Sequence, residues 1–436
     1  MQVAFYGDDF TGSTDALYQF HRAGLAGTLF LRRPTQRQLA EHSRDKVLGI
    51  AGVGRTLGPD PLTKEVQDAF GLLRCLGPRH IQYKVCSTFD SSPVVGSIGV
   101  ALETVQELID DRPVAIAPAQ PQFGRYTVFG NHFAVEPGGA ISRLDRHSSM
   151  SQHPTTPMRE SDLRRHVAFQ TGLPLALVDI RALRSPQEAW EATVAKALAE
   201  APAAIVFDAL EDADLQRVAE LVIESPELAD VSFGSGGLSF ALGRAISGDG
   251  PSVEPLSPVD RSLVLAGSLA PQTRRQIAHA VDRGWRLLRR TPEELAAAAA
   301  EPAPELINDV LGLLASDHSV VVASSTSDPE PDEVGATPLG PSIGAAYARI
   351  LEAALTHALV GRSAVAGGDT SGWTMRRLQA HALRVVGALD VAGAVCRLES
   401  EVPGIDGAEV VLKGGQVGGD DFFSRLLSGE PAATLG

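Results

Sequence analysis

Two adjacent carboxylates, Asp8 and Asp9, follow an apolar run at residues 3–6 and precede Thr11-Gly12-Ser13-Thr14. In a parallel sheet, ligands bind at the carboxyl ends of the strands. Carboxylates placed there can accept hydrogen bonds from sugar hydroxyls, or one of the pair can take a proton. A single aspartate would be explained as a helix cap, with Thr11 tightening the turn. Both together, beside Thr-Gly-Ser-Thr, favour a site. An aspartyl-phosphate nucleophile usually comes with a second aspartate two positions on, so the adjacent pair argues against that chemistry.

A second set, Lys84, Ser87, Thr88 and Asp90, follows the apolar run at 81–85. Only five lysines occur, Lys46, Lys64, Lys84, Lys196 and Lys413, so an ammonium among hydroxyls at a strand end stands out. It suits a carboxylate or a polyol; the plain alternative is a solvated turn with a snorkelling lysine. Cys86, in the same turn, reads as a small buried residue rather than a nucleophile. Farther on, Arg125, Arg143, Arg146, His147, His153 and Arg159 supply local cations in a stretch rich in glycine and histidine. Arginine suits bidentate carboxylate recognition, and Arg125 leads this group, the rest reading as a solvated face. The histidines lack metal-ligand spacing, so no metal site is assigned to them.

Three glycine-containing turns lie in the second half: Gly267-Ser268, Gly367-Gly368-Asp369-Thr370-Ser371-Gly372, and Lys413-Gly414-Gly415-Gln416. Glycine lets the backbone approach phosphate oxygens, and free N–H groups at a helix start bind them. Asp369 would repel phosphate unless a divalent cation lay between, or unless it binds elsewhere; Lys413 could pair with a phosphate as a point charge. Three such turns favour nucleotide binding over structural turns. No Gly-Lys-Ser/Thr occurs, so this is not a P-loop. Gly234-Ser235-Gly236-Gly237 matches half of a dinucleotide fingerprint, which strand–helix packing explains equally well.

Positioning these residues requires strands that end where they stand. Short apolar runs at 3–6, 47–53, 81–85, 114–117, 175–178 and 204–207 read as buried strands, with helical patterns at 15–23, 64–75, 99–109, 186–199 and 213–223. The alternation predicts an α/β fold of two domains, each a mostly parallel sheet flanked by helices, with a cleft between them. Residues 247–260 are rich in Gly, Pro and Ser and read as a linker and hinge between domains at 1–246 and 261–436. After it the pattern restarts at 262–266, 319–323, 363–366 and 410–412, with helices from Pro271, around 343–359 and at 373–383. Residues 296–304 read as a helix end and a loop, 324–338 as a surface loop, and 129–157 as a long functional loop.

Composition narrows the classes. The 436 residues carry 38 basic and 53 acidic side chains, a net charge of −15, which excludes a nucleic-acid partner because phosphate backbones demand a basic face. Three scattered cysteines exclude a disulfide scaffold. No signal peptide and no membrane-length apolar run is seen, so a cytoplasmic protein is expected, with a homo-oligomer allowed.

The segments GDDFTGSTDAL, YKVCSTFDSS with GSIG, APAQPQFGRYTVFGNHF, HPTTPMRESDL, FGSGGL, AGSLAPQT, AGGDTSG and LKGGQVGGDDFF resemble, in order and over nearly the whole chain, the motifs of the four-carbon acid sugar kinases. The resemblance implies an enzyme using ATP and Mg²⁺ to phosphorylate the terminal hydroxyl of a small anionic sugar acid such as threonate, erythronate or 3-oxo-tetronate. The RLDRHSSMSQHPTTPM stretch is similar to a subgroup acting on the branched 3-oxo-isoapionate. It implies that Asp8, Asp9, Lys84, Ser87, Thr88, Asp90 and Arg125 serve the sugar acid in the first domain. Ser268, Gly367, Gly368, Asp369, Thr370, Ser371 and Gly415 would serve ATP and ADP in the second. Lys84 or Arg125 would then clamp the carboxylate, and Asp9 or Asp8 would orient or deprotonate the hydroxyl. A nicotinamide-dependent hydroxy-acid oxidoreductase would need a full glycine fingerprint with an acidic residue about 20 positions on, and no strand end supplies both. A non-catalytic sugar-acid-binding protein regulated by ATP is the remaining alternative.

Overall fold

The computed structural model describes residues 1–110, 112–136, 138–153, 155–248, 256–300, 304–324, 340–391 and 393–432. In chain order the strands of the first half are β1 (Val3–Gly7), β2 (Gly27–Phe30), β3 (Val47–Ala51), β4 (His80–Lys84), β5 (Val114–Ala117), β6 (Arg125–Val128), β7 (Asn131–Val135), β8 (Ile141–Arg143), β9 (Leu175–Val178), β10 (Ala204–Phe207) and β11 (Val231–Gly234). Those of the second half are β12 (Ser262–Ala266), β13 (Arg286–Arg289), β14 (Val320–Ala323), β15 (Arg362–Ala366), β16 (Ala382–Ala388), β17 (Ala394–Glu399) and β18 (Glu409–Lys413).

The chain divides into two compact units, Met1–Gly27 with Thr35–Pro251, and Thr28–Pro34 with Ser252–Gly436. One division falls inside the expected linker, of which residues 249–255 lie outside the described residues. The other lies inside the expected first domain, 1–246, from which residues 28–34 depart to the second unit. Backbone pairing explains it: Leu29 and Phe30 of β2 pair antiparallel with Leu383 and Ala382 of β16, and Leu31 N–H donates to His381 O at 3.0 Å.

In the first unit the sheet runs β3-β1-β4-β11-β5-β10-β9, with every neighbouring pair parallel. β1, β3, β4, β5, β10 and β11 are buried along their whole length, as short apolar strands covered on both faces must be. In the second unit β13-β14-β12-β15-β18 are parallel, and β17, β16 and β2 continue antiparallel.

Two readings are corrected. The helix expected at 373–383 is Gly368–Arg377. Its supposed last residues instead open β16, where the pairing of 382–388 with β17 overrides the helical pattern. The 129–157 stretch is not wholly a loop, since β6, β7 and β8 form an antiparallel sheet. Phe129 and Gly130, at φ 50° and 74°, make the tight turn between β6 and β7. The surface loop expected at 324–338 falls, from residue 325 on, outside the described residues, as do 301–303 of the 296–304 stretch.

Register decides what the sheets present. Gly7 pairs with both Ala51 and Lys84, so the segments after β1, β3 and β4 leave the first sheet at one edge. Ala266, Ala366 and Lys413 are likewise level, so the three glycine-containing turns leave the second sheet together.

Candidate functional site

Asp9 is the N-cap of the helix Phe10–Arg22, its carboxylate accepting from the Gly12 N–H. The capping role therefore holds for this residue. Its other oxygen accepts from Arg55 Nη1 at 3.0 Å. Arg55 Nη2 donates to both oxygens of Asp90, at 2.9 and 2.7 Å, so one guanidinium ties the segments after β1, β3 and β4. Asp90 also accepts from the hydroxyls of Thr88 and, at 2.7 Å, Thr156. Burial alone would raise the Asp90 carboxyl; Arg55 and the two hydroxyls outweigh it and hold it well below the usual carboxylate range.

Asp8 differs from its neighbour. It is only 7% exposed, and its Oδ1 has no hydrogen-bond partner among the described residues. Burial first, and then the charge of Asp9, push its carboxyl up to about 7, against the pull of Arg55 and Lys84. A buried carboxyl poised near neutrality with a spare lone pair is equipped to accept a proton.

Lys84 is buried and donates from Nζ to Val85 O at 2.9 Å. A Cβ at Gly12 would stand 3.0 Å from that nitrogen, so glycine at 12 leaves the ammonium its space. Ser87 contributes its carbonyl to the His132 ring at 2.7 Å. Half-buried Arg125 donates to Phe123 O, while its Nε is buried without a partner among the described residues. Burial lowers the Arg125 guanidinium from its ordinary value, opposed next by nearby Cys86.

The structure thus brings Asp9, Lys84 and Asp90 within electrostatic reach of Asp8, with Thr88 attached through Asp90. Arg125 lies near Cys86, in the turn that carries Ser87 and Thr88, and makes no hydrogen bond or ion pair with the aspartates or Lys84 among the described residues. Sequence reasoning missed Arg55 and Thr156. Arg55 was findable as the first cation beyond the run at 47–53; Thr156 lies in the HPTTPM segment but had no mark of its own.

In the second unit, Ser268, Gly367, Thr370 and Gly415 converge. A Cβ at Gly415 would fall 2.2 Å from Ser268 Oγ, and one at Gly267 2.2 Å from Thr370 Oγ1. Gly367, at φ +125°, adopts a backbone open essentially to glycine. It is the N-cap of the helix Gly368–Arg377 and offers no side-chain cap. The amides of Gly368, Asp369 and Thr370 therefore open that helix as anion donors. Asp369 is exposed. Ser371 is buried, and its hydroxyl donates to Val365 O at 3.2 Å, fastening the helix start to β15.

Lys413 is fully buried; its Nζ donates to Gly414 O at 2.9 Å and lies 5.8 and 5.7 Å from the rings of Phe422 and Phe423. It supports the glycine turn from beneath, and burial pulls its ammonium down to about 7. Among the described residues, no group of three or more His, Cys, Asp or Glu could hold a metal ion, and no helix is long and apolar enough to cross a membrane.

Residues 3–242 match the model of a sugar-binding N-terminal domain, and residues 263–423 that of a nucleotide-binding C-terminal domain. A 3-oxo-isoapionate kinase of Paraburkholderia graminis is 34% identical, the match covering 99% of this chain and 95% of that protein. A 3-oxo-tetronate kinase of Pseudomonas fluorescens is 30% identical over 96% and 95%. A crystal structure of a Salmonella typhimurium LT2 protein superposes with a TM-score of 0.78 at 23% identity, over 97% of this chain and 98% of that one. At that identity it speaks for the fold alone.

Proposed function

The chain belongs to the four-carbon acid sugar kinase family, and we propose that it transfers the γ-phosphoryl group of ATP to a hydroxyl of a small 3-oxo sugar acid. The branched 3-oxo-isoapionate type is favoured over linear 3-oxo-tetronate by the higher identity to the kinase of that name, 34% against 30%. The observation that carries the reading is Asp8: a buried carboxyl with an unpartnered oxygen, beside cations suited to an anionic substrate.

Each residue then has a task. Lys84 and Arg125 hold the substrate carboxylate. Asp8 accepts the proton of the attacking hydroxyl, while Asp9, committed to the helix cap and Arg55, keeps the cluster in place. The amides that open the helix Gly368–Arg377, with Ser268, Gly414 and Gly415, receive the phosphates. Phosphoryl transfer has a loose transition state, so positioning and charge neutralisation dominate. Mg²⁺ supplies neutralisation when bound with the nucleotide, and Asp369, exposed in the first helical turn, is the cradle carboxylate that could reach it.

A coupled assay of ADP release over a panel of four- and five-carbon sugar acids tests the proposal. Turnover of a 3-oxo acid, fastest with the branched one, is expected. Binding of sugar acid and ATP without ADP release would instead favour the non-catalytic binding protein.

A further inference from the structure

The turn after β18 owes its shape to one helix. Along Pro271–Asp282, Gln272 and Thr273 each neighbour Gln276 on the helix surface, being four and three residues before it. Thr273 Oγ1 donates to Gly415 O at 2.8 Å. Gln276 Nε2 lies 2.9, 3.1 and 2.9 Å from the carbonyl oxygens of Val417, Gly418 and Gly419. Gln272 Nε2 adds a bond to Gly418 O at 2.8 Å. Thr273 and Gln276 are fully buried.

The Gln276 Oε1 has no partner among the described residues, so this side chain is held for its amide protons. A carboxylate of the same shape would set negative oxygens against three carbonyls. Of the amides in the turn, Val417 N–H donates to Gly414 O, while those of Gly414, Gly415, Gln416, Gly418 and Gly419 donate to no acceptor among the described residues. Gly415 and Gln416 are the two that directly precede the carbonyls Gln276 holds. Carbonyls drawn toward the helix leave these N–H groups free on the turn that Gly415 packs against Ser268.

We propose that Gln276, seconded by Thr273, is a positioning residue of the nucleotide site: by holding the carbonyls of 415 and 417–419, it aims the Gly415 and Gln416 amides at phosphate oxygens. The inference rests on the kinase reading and names residues that touch no ligand. Glycine permits the turn's conformation, and the helix face selects it. Affinity for ATP is therefore set partly by buried side chains one layer behind the phosphates, through preorganised donors.

The test uses the full chain carrying Gln276→Leu, Gln276→Glu, Thr273→Val or Thr273→Ser. Kinetics are measured with ATP and the sugar acid varied separately, and ADP and sugar-acid affinities by calorimetry. We expect Gln276→Leu to raise the ATP KM and the ADP Kd by roughly 10-fold, the loss of a few hydrogen bonds' worth of preorganisation, with Gln276→Glu worse. The sugar-acid Kd should stay within about 2-fold, the signature of a local nucleotide effect. Thr273→Val should act in the same direction and Thr273→Ser, which keeps the hydroxyl, should restore the wild-type value. If Gln276→Leu does not fold, the Thr273 pair alone decides, because only a positioning hydroxyl makes serine and valine differ in ADP affinity. Unchanged ADP affinity in the folded variants overturns the positioning role while leaving the kinase reading intact. A wild-type chain that binds no ADP overturns both.

Discussion

Asp8 and Asp9 are neighbours in sequence with opposite electrostatic fates. Asp9 spends its oxygens on the Gly12 amide and Arg55, while Asp8 keeps Oδ1 unpartnered and its carboxyl rises to about 7. A base must be ionised to work, so kcat/KM should climb as pH rises through about 7. Asp8→Asn should lower kcat by at least about 100-fold, within the range for a lost general base, and remove that limb of the pH profile. The same residue makes a stability prediction of defined sign. Its folded pKa lies above its unfolded one, so its contribution is fully present in acid and is lost as pH rises toward and through about 7. Asp8→Asn should thus gain stability over the wild type as pH rises from about 4 to about 7 and hold that margin above it, by up to about 4 kcal/mol if the whole shift is realised. A Tm difference that is flat with pH, alongside unchanged turnover, would remove Asp8 from the role.

At the scale of elements, what holds the sugar-acid edge together is a cation that no motif announced. Arg55 stands 46 residues from Asp9 and 35 from Asp90, and joins them only because register makes β1, β3 and β4 end level. Sequence patterning located those strands, since brief apolar runs covered on both faces carry their own signature. It could not see a partnership created by sheet order. β6, β7 and β8 were hidden for another reason: Arg125, Asn131 and Arg143 stand half-buried among apolar residues and His132 is buried, so hydrophobic contrast is weak. β16 was masked by a helical pattern that strand pairing overrides. The Arg55 brace is open to test. Arg55→Met leaves Asp90, whose side chain is fully buried, and Asp9 without their shared cation. Breaking such a pair from one side costs about 3–5 kcal/mol, which chemical denaturation should register together with a weakened sugar-acid KM and an ADP Kd close to wild type. A variant as stable as the parent would show the bridge to be dispensable.

Over the whole molecule, the chain enters the second unit twice. Residues 28–34 leave the first unit after its opening helix, pair with β16, and return before β3. The units are therefore connected at 27/28, 34/35 and 251/252 rather than by the single linker expected from composition. A contiguous stretch of second-half sequence is then an incomplete folding unit. It lacks β2, whose Phe30 is fully buried, and leaves the β16 edge with unpaired backbone groups of the kind that invite aggregation. Residues 256–436 expressed alone should accordingly be poorly soluble or melt far below the intact chain. Restoring residues 28–34 through a flexible linker fused to the same fragment should recover a cooperative transition and ADP binding. Should the bare fragment already unfold cooperatively and bind ADP like the whole protein, the strand would be an accessory to the second unit rather than a part of it.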